Sequence, residues 1–286
     1  MMSTIGFIGL GSMGLPMASN VAAAGFDLVC FDAAGTAERL PPGASAAASV
    51  ADVFERCGTT LISVPDGAAT TAVIDELERA AKRTVTTVID LSTVGPVAAR
   101  ASAARLEPMG ITYCDGPVSG GVAGARAGTI SLMFAGPSAV FEAHRPILDA
   151  MSANLFHVGE SAGQGQAMKL LNNFLSAVAL AATSEAVAFG AAAGLDMQVM
   201  LDVINVSSGR NTASADKFPN RVVTGSFDAG FRTQLMNKDV ALFLDSVANV
   251  GTSAVVAQAV GRVWADANAA MPGSDFTEVW KFVSGT

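Results

Sequence analysis

Apolar and polar positions along the chain change their rhythm near residue 160. Before that point, short β-rich apolar runs alternate with helix-compatible stretches. The runs Thr4–Ile8, Leu28–Phe31, Thr59–Val64, Thr87–Asp90, Ile111–Cys114, Ser131–Ala135 and Asn154–His157 read as strands. Between them, Leu15–Ala24 (ended by Gly25), Ala68–Lys82, the stretch from Pro96 to Met109 and Ser138–Ala150 read as helices. Strands that alternate with helices predict a parallel α/β sheet. After Gly159 the strand signals stop. An Ala-rich, proline-free segment runs from Gly163 to Gly194 and predicts one long helix with Gly194 as its stop. Asp196 is placed to cap a helix reaching Val206, Phe231–Val250 reads as another, and Pro272–Val283 as a short terminal one begun by Ser274. The expected organisation is a sheet domain over 1–160 and an all-helical domain over 161–286, joined by the long helix.

Glycines give the first unit its chemistry. Gly9-Leu10-Gly11-Ser12-Met13-Gly14 sits between the first strand and the first helix, the context in which Gly-x-Gly-x-x-Gly indicates a dinucleotide. Gly9 permits the tight turn, Gly11 lets backbone approach a pyrophosphate, and Gly14 lets helix pack on strand. The helix start offers free amides to the phosphates. Asp32 ends the second strand twenty-three positions after Gly9, where an acid can hydrogen-bond the adenosine ribose. No arginine adjoins it and its charge repels a 2′-phosphate, so NAD is favoured over NADP; Arg39 is the one nearby cation that argues the other way. Val64, Pro65, Ser92 and Thr93 lie just past strand ends, where an open sheet lines its ligand crevice; Ser92 and Thr93 equally suit helix caps.

Ser119-Gly120-Gly121 can turn successive amides toward one carboxylate, or form a plain turn. Lys169 and Asn173, four residues apart, share one face of the long helix. Among Ala, Met and Leu, the lysine's charge is disfavoured by desolvation, which tunes it toward proton transfer; alternatively its stem lies on apolar surface and its ammonium reaches water. Lys238-Asp239 reads by itself as a surface ion pair, and Ser207 to Asn211 as a polar loop able to face a substrate.

Composition removes several classes of function. The 286 residues are 51% hydrophobic and 15% charged, which indicates a packed globular chain. A net charge of −8 without a basic cluster disfavours nucleic acid. The first 26 residues are uncharged, yet they lack a basic start and are interrupted by glycines and Pro16, unlike a signal peptide. The longest uncharged helical run, Leu170–Ser184, is too short to span a bilayer. Cys30, Cys57 and Cys114 are scattered and odd in number, so no metal is expected and a reduced, cytoplasmic setting fits. With two histidines, His144 and His157, and Tyr113 lacking a lysine four positions on, a nicotinamide enzyme here must move its proton with a lysine or a carboxylate. Lys169 and Lys238 are the two of five lysines in apolar helical settings.

The stretches Gly6 to Ala18, Asp115 to Gly121, Gly163 to Asn173 and Lys238-Asp239 together resemble the β-hydroxyacid dehydrogenase family over essentially the whole chain. The resemblance implies a Rossmann-type domain, a helical second domain and a site in the cleft between them. It implies Lys169 as acid/base with Asn173 as its companion, and Ser119, Gly120 and Gly121 as the carboxylate loop. It also implies cofactor contacts at Gly9, Leu10, Gly11, Ser12, Met13, Gly14, Asp32, Val64, Pro65 and Thr93, with Phe231 and Lys238 closing on nicotinamide and substrate. The expected reaction is hydride exchange between NAD and a small 3-hydroxy acid, by a homo-oligomer that engages neither nucleic acid nor membrane. The alternatives are an NADPH-dependent semialdehyde or imine reductase of the same architecture, and a non-catalytic NAD-binding module. Gly116 where alanine is common, and Gly251 to Ala254 in place of a proline-rich turn, depart from the family pattern.

Overall fold

The computed structural model describes residues 4–285. The chain divides into two compact units between Lys169 and Leu170. In the first unit a nine-stranded sheet is built from β1 (Ile5–Ile8), β2 (Leu28–Phe31), β3 (Ser45–Ala46), β4 (Thr59–Ile62), β5 (Thr87–Asp90), β6 (Thr112–Asp115), β7 (Val118–Ser119), β8 (Ile130–Ala135) and β9 (Ser152–Gly159). Its order is β3-β2-β1-β4-β5-β6-β8-β7, with β9 also paired to β8. From β3 to β6 every pairing is parallel, and β8 runs antiparallel to β6 and β7. The chain leaves β1 toward β2 on one side and returns to β4 on the other. That reversal is the switch point at which an open α/β sheet receives its ligand. Ile8 is level with both Phe31 and Ile62, so the three strands end together and deliver Gly9, Asp32 and Ser63 to one edge.

Alternation within these strands supplies two cores. Ile5, Phe7, Leu28, Cys30, Leu61 and Ile89 bury on one face, with Met17, Ala18 and Val21 of α1 (Gly14–Ala23). Ile8, Val29, Ile62 and Val88 bury on the other. That second face is covered by α2 (Val50–Arg56), α3 (Gly67–Arg79) and α4 (Pro96–Leu106) through Phe54, Leu77 and Leu106. After α5 (Gly121–Ala127), Phe141, Ile147 and Leu148 of α6 (Ser138–Asp149) join the first face. Each large apolar side chain removed from water contributes about 1.5–3 kcal/mol. Burial on both faces accounts for the continuously apolar β1 and β2. Burial also pushes the free thiols up, Cys30 and Cys114 to about 12 and Cys57 to about 11, so none is prepared as a nucleophile.

The long helix is α7 (Gln164–Ala192), and Gly194 follows it with φ +85°. By length and composition it could cross a membrane, with mean hydropathy 1.6 over its most apolar window. Its residues Ala177, Leu180 and Val187 instead lie in the core of the second unit, around Trp264, whose Nε1 donates to the Ala177 carbonyl at 3.3 Å. The other helices of that unit are α8 (Met197–Asn205), α9 (Thr233–Val250), α10 (Val255–Ala270) and α11 (Val279–Ser284). Asp196 caps α8 as expected, accepting from the Val199 amide at 3.0 Å. In this unit two stretches that the sequence reading left without an element are helical, and one helix start differs from it. Ala213–Val222 is a π-helix containing Pro219, a residue whose missing N–H conceals helix in a sequence. Gly261 sits inside α10 because a Cβ there would lie 2.8 Å from Leu244 of α9. The terminal segment starts at Asp275 rather than Ser274, since Asp275 and Glu278 form a reciprocal capping box.

Candidate active site

The glycine-rich loop separates internal packing from openness. A Cβ on Gly9, whose φ is +94°, would meet the Ser63 carbonyl at 2.2 Å, and one on Gly14 would meet the Gly9 carbonyl. Both glycines are required by the fold itself. Gly11 is different: nothing lies within 4 Å of its Cβ position. Its bare backbone faces open space beside the start of α1, which fits close approach by a pyrophosphate and is the test of fit for a dinucleotide here.

Asp32 is wired to that loop. Its Oδ2 accepts from the Leu10 amide at 2.6 Å, and its Oδ1 accepts from the Ala34 amide at 2.8 Å and from Arg39 at 3.1 Å. Arg39, the cation that argued for a 2′-phosphate, is therefore paired with the acid that argues against one. The guanidinium is 40% exposed, so the pair contributes little stability. It does hold the carboxylate at the end of β2.

Past β4 and β5, Ser92 does not cap the next helix. The N-cap of α4 is Gly95, with φ +84° and no side-chain bond. The Ser92 hydroxyl accepts from the Val64 amide at 2.9 Å, tying together the two loops that carry Val64-Pro65 and Ser92-Thr93. Asp90 is buried between them and accepts from Thr70, Tyr113 and the Ser92 amide, and desolvation pushes its carboxyl up. Tyr113 is thus a structural donor.

At the other loop, Ser119 pairs with Ser131 across β7 and β8. Gly120 and Gly121 follow at φ +131° and +63°, and the Cβ position of Gly121 is open. Successive glycines in these conformations turn amides toward a common point, an arrangement suited to a carboxylate. Gly116 has little room for the more usual alanine, since a Cβ would lie 3.2 Å from Leu132.

Every residue of Gly163-Gln164-Gly165-Gln166 has a reason. Gly163 has φ +94°, and Gln164 accepts from the Ser161 amide at 2.9 Å. A Cβ on Gly165 would strike the Met133 carbonyl at 2.4 Å, so glycine lets the first turn of α7 lie against the sheet. Gln166 is wholly buried; its Oε1 accepts from the Val94 and Gly95 amides at 2.9 and 3.1 Å, and its Nε2 donates to the Ser92 carbonyl at 2.8 Å. The helix start is capped from a distance by Asp115, whose two oxygens accept from the Gly163 and Gln166 amides at 2.6 and 2.7 Å. Neither Asp115 nor Gln166 was singled out from sequence. The available signal was a charged or polar residue where only burial awaited it. These bonds bind the first turn of α7 into the first unit, which runs to Lys169.

Desolvation raises the Asp115 carboxyl from 3.8 to about 6, outweighing the two amide donors. The folded state then keeps a proton that the unfolded chain releases first. The stability this carboxyl contributes is complete below 3.8 and lost as pH rises through about 6. The displacement corresponds to about 3 kcal/mol. Urea denaturation of wild type and Asp115→Asn, which does not titrate, is expected to show wild type losing about that much relative to the variant between about pH 3.5 and pH 7.5. A pH-independent difference contradicts the assignment.

Lys169 is 8% exposed and Asn173 7%, one helical turn apart on α7. Within the second unit, Asn173 Nδ2 donates to Asp239 Oδ2 at 2.6 Å. Asp239 is 3% exposed, and its Oδ1 lies 3.3 Å from Lys238 Nζ. The Lys238-Asp239 pair is therefore not a surface motif. Phe231 stands just before α9, packed edge-on against Phe276 at 5.7 Å. The polar loop is less open than expected at its end, because Asn211 Oδ1 accepts from the Ala213 and Ser214 amides and its Nδ2 donates to Thr183. His144 and His157 bond Thr59 and the Gly136 carbonyl. Among the described residues no group of three His, Cys, Asp or Glu could hold a metal.

Residues 4–159 match the family described as the NAD binding domain of 6-phosphogluconate dehydrogenase, and residues 163–283 that described as NAD-binding of NADP-dependent 3-hydroxyisobutyrate dehydrogenase. The chain is 36% identical to a 3-hydroxyisobutyrate dehydrogenase of Pseudomonas aeruginosa, over 99% of each. The chain belongs to the β-hydroxyacid dehydrogenase family. It is 38% identical to an NAD-dependent L-serine dehydrogenase of the same organism, over 84% of each chain. A solved 3-hydroxyisobutyrate dehydrogenase of Mycobacterium tuberculosis, described with L-serine, superposes with a TM-score of 0.91 at 33% identity, over 99% of each chain. As a β-hydroxyacid dehydrogenase the protein is an oxidoreductase that binds NAD and exchanges hydride with the hydroxyl-bearing carbon of a small hydroxy acid. These relatives favour neither an imine reductase nor a non-catalytic module.

Proposed function

We propose that the substrate is a 3-hydroxy acid of the form HO–CH2–CHR–COO⁻, with 3-hydroxyisobutyrate first among the candidates and Lys169 as the acid/base. The two substrates named for the relatives share this skeleton and differ in R, a methyl group in 3-hydroxyisobutyrate and an ammonium in L-serine. The observation that carries the assignment of Lys169 is its burial one turn from an equally buried Asn173, which Asp239 anchors.

In this reading Gly9, Leu10, Gly11, Ser12, Met13 and Gly14 hold the pyrophosphate, and Asp32 holds the adenosine ribose. Val64, Pro65, Thr93, Phe231 and Lys238 contact the remainder of the cofactor. NAD, when bound, supplies the hydride acceptor. Amides of Ser119, Gly120 and Gly121 fix the substrate carboxylate, and Asn173 and Lys238 orient its hydroxyl end. Lys169, neutral in the oxidative direction, takes the hydroxyl proton as the C–H bond breaks; in reverse its ammonium returns that proton to the carbonyl oxygen.

Twelve of the fifteen large apolar side chains exposed in the described chain belong to the second unit, among them Phe189, Val206 and Val255, so association of identical chains through that unit is part of the proposal. A cytoplasmic setting, suited to three free thiols, is likewise proposed.

The test is reduced-nicotinamide absorbance with NAD and with NADP over 3-hydroxyisobutyrate, L-serine, 3-hydroxypropionate, glycerate and threonate. NAD-linked turnover greatest with 3-hydroxyisobutyrate is expected. A preference for L-serine would replace the methyl-bearing substrate with the ammonium-bearing one, and no turnover of any β-hydroxy acid would overturn the proposal.

A further inference from the structure

Gln166 is a buried clasp with more bonds than its own burial requires. Its carboxamide takes both amides of Val94 and Gly95 and gives a proton to the Ser92 carbonyl, so one side chain grips the loop after β5 at three points. That loop carries Thr93. Through the Ser92 hydroxyl it is joined in turn to the Val64 amide at the end of β4. The other end of the clasp is α7, whose backbone at Gln166 is pinned by Asp115. Lys169 lies three residues on, about 4.5 Å along the helix axis and turned by less than a fifth of a revolution. The clasp therefore acts on the helix less than one turn before the lysine.

We propose that Gln166 is a positioning residue that sets the distance between the acid/base on α7 and the cofactor-facing loop after β5. The inference rests on the reading of Lys169 as acid/base and of Thr93 as a cofactor contact. Reacting groups tolerate little displacement: an error of about 1 Å far from the chemistry costs up to about 10²-fold in rate.

Gln166→Met keeps an unbranched chain of similar size and removes all three bonds. It is expected to lower kcat about 10- to 10²-fold, to change the Kd for NAD by much less than it changes kcat, and to increase the primary isotope effect with substrate deuterated at the hydroxyl-bearing carbon, because the chemical step becomes slower than product release. Gln166→Glu supplies a second reading that holds even where the methionine variant folds poorly. Its carboxylate accepts from Val94 and Gly95 but faces the Ser92 carbonyl without a proton to give. Protonation restores the donor, so its rate relative to wild type is expected to recover as pH falls.

A methionine variant with wild-type kcat and isotope effect overturns the proposal. So does a lowered Tm with an unchanged isotope effect, which marks a purely structural residue. A glutamate variant whose relative rate is flat with pH overturns it as well. Lys169→Ala, run alongside, separates the two levels. Full turnover in that variant removes the acid/base reading itself, whereas an inactive lysine variant beside a wild-type-like methionine variant removes only the role of Gln166.

Discussion

Lys169→Ala is expected to lower kcat for oxidation of the 3-hydroxy acid by about 10²–10⁴-fold, the usual loss for one positioned proton-transfer group. The Kd for NAD stays unchanged, because the glycine-rich loop and Asp32 that fit the cofactor form their contacts without this side chain. Burial separates this outcome from that of a surface lysine: only 8% of Lys169 is exposed, and the turn of α7 that precedes it is held by Asp115 and Gln166. Lys169→Arg distinguishes proton transfer from charge alone. A guanidinium keeps the positive charge but does not give up its proton, so the arginine variant is expected to fail nearly as badly as alanine. Initial rates from nicotinamide absorbance, with NAD affinity measured on the same preparations, check both. An arginine variant close to wild type would assign Lys169 an electrostatic role in place of the acid/base one.

Asp239→Ala is expected to have the second-largest effect, on both stability and substrate affinity. The carboxylate is 3% exposed, accepts the Asn173 amide at 2.6 Å and lies 3.3 Å from the Lys238 ammonium. Removing it leaves a buried amide donor without its acceptor, at a cost of about 1–3 kcal/mol. Lys238 is 27% exposed and rehydrates, which keeps the loss below that for a fully buried pair. Asn173 then no longer has a fixed rotamer, so KM for the hydroxy acid is expected to rise about tenfold, corresponding to roughly 1.4 kcal/mol of binding. Asp239→Asn preserves shape and an acceptor for Asn173, and its KM is expected to fall between wild type and alanine. Thermal denaturation and steady-state kinetics on the two variants provide the check; an alanine variant with unchanged KM would show that Asp239 does not position Asn173.

What could be read in the sequence was the chemistry enforced locally. The turn from β1 into α1 needs glycine at positions 9 and 14 whatever surrounds it, and the length of the second strand determines where Asp32 stands. A proline-free Ala-rich run identifies α7, and its second turn carries the lysine. The residues that stayed hidden act over distance. Asp115 caps a helix 48 residues further on, and Gln166 bonds a loop more than 70 residues earlier, so no short pattern contains both partners. Asp239 looked like half of a surface pair because burial comes from tertiary packing, not from the two letters beside each other. Ser92 looked like a helix cap for the converse reason: its local setting suits one, while Val64 on a neighbouring loop takes its hydroxyl.

The most direct test of the central claim is the fate of the hydrogen itself. 3-Hydroxyisobutyrate deuterated at the hydroxyl-bearing carbon is incubated with enzyme and NAD, and the reduced cofactor is analysed by mass spectrometry and proton NMR. The account predicts that a deuterium from that carbon arrives on the nicotinamide ring. Reduced cofactor without label, or none formed while NAD remains bound, would contradict it.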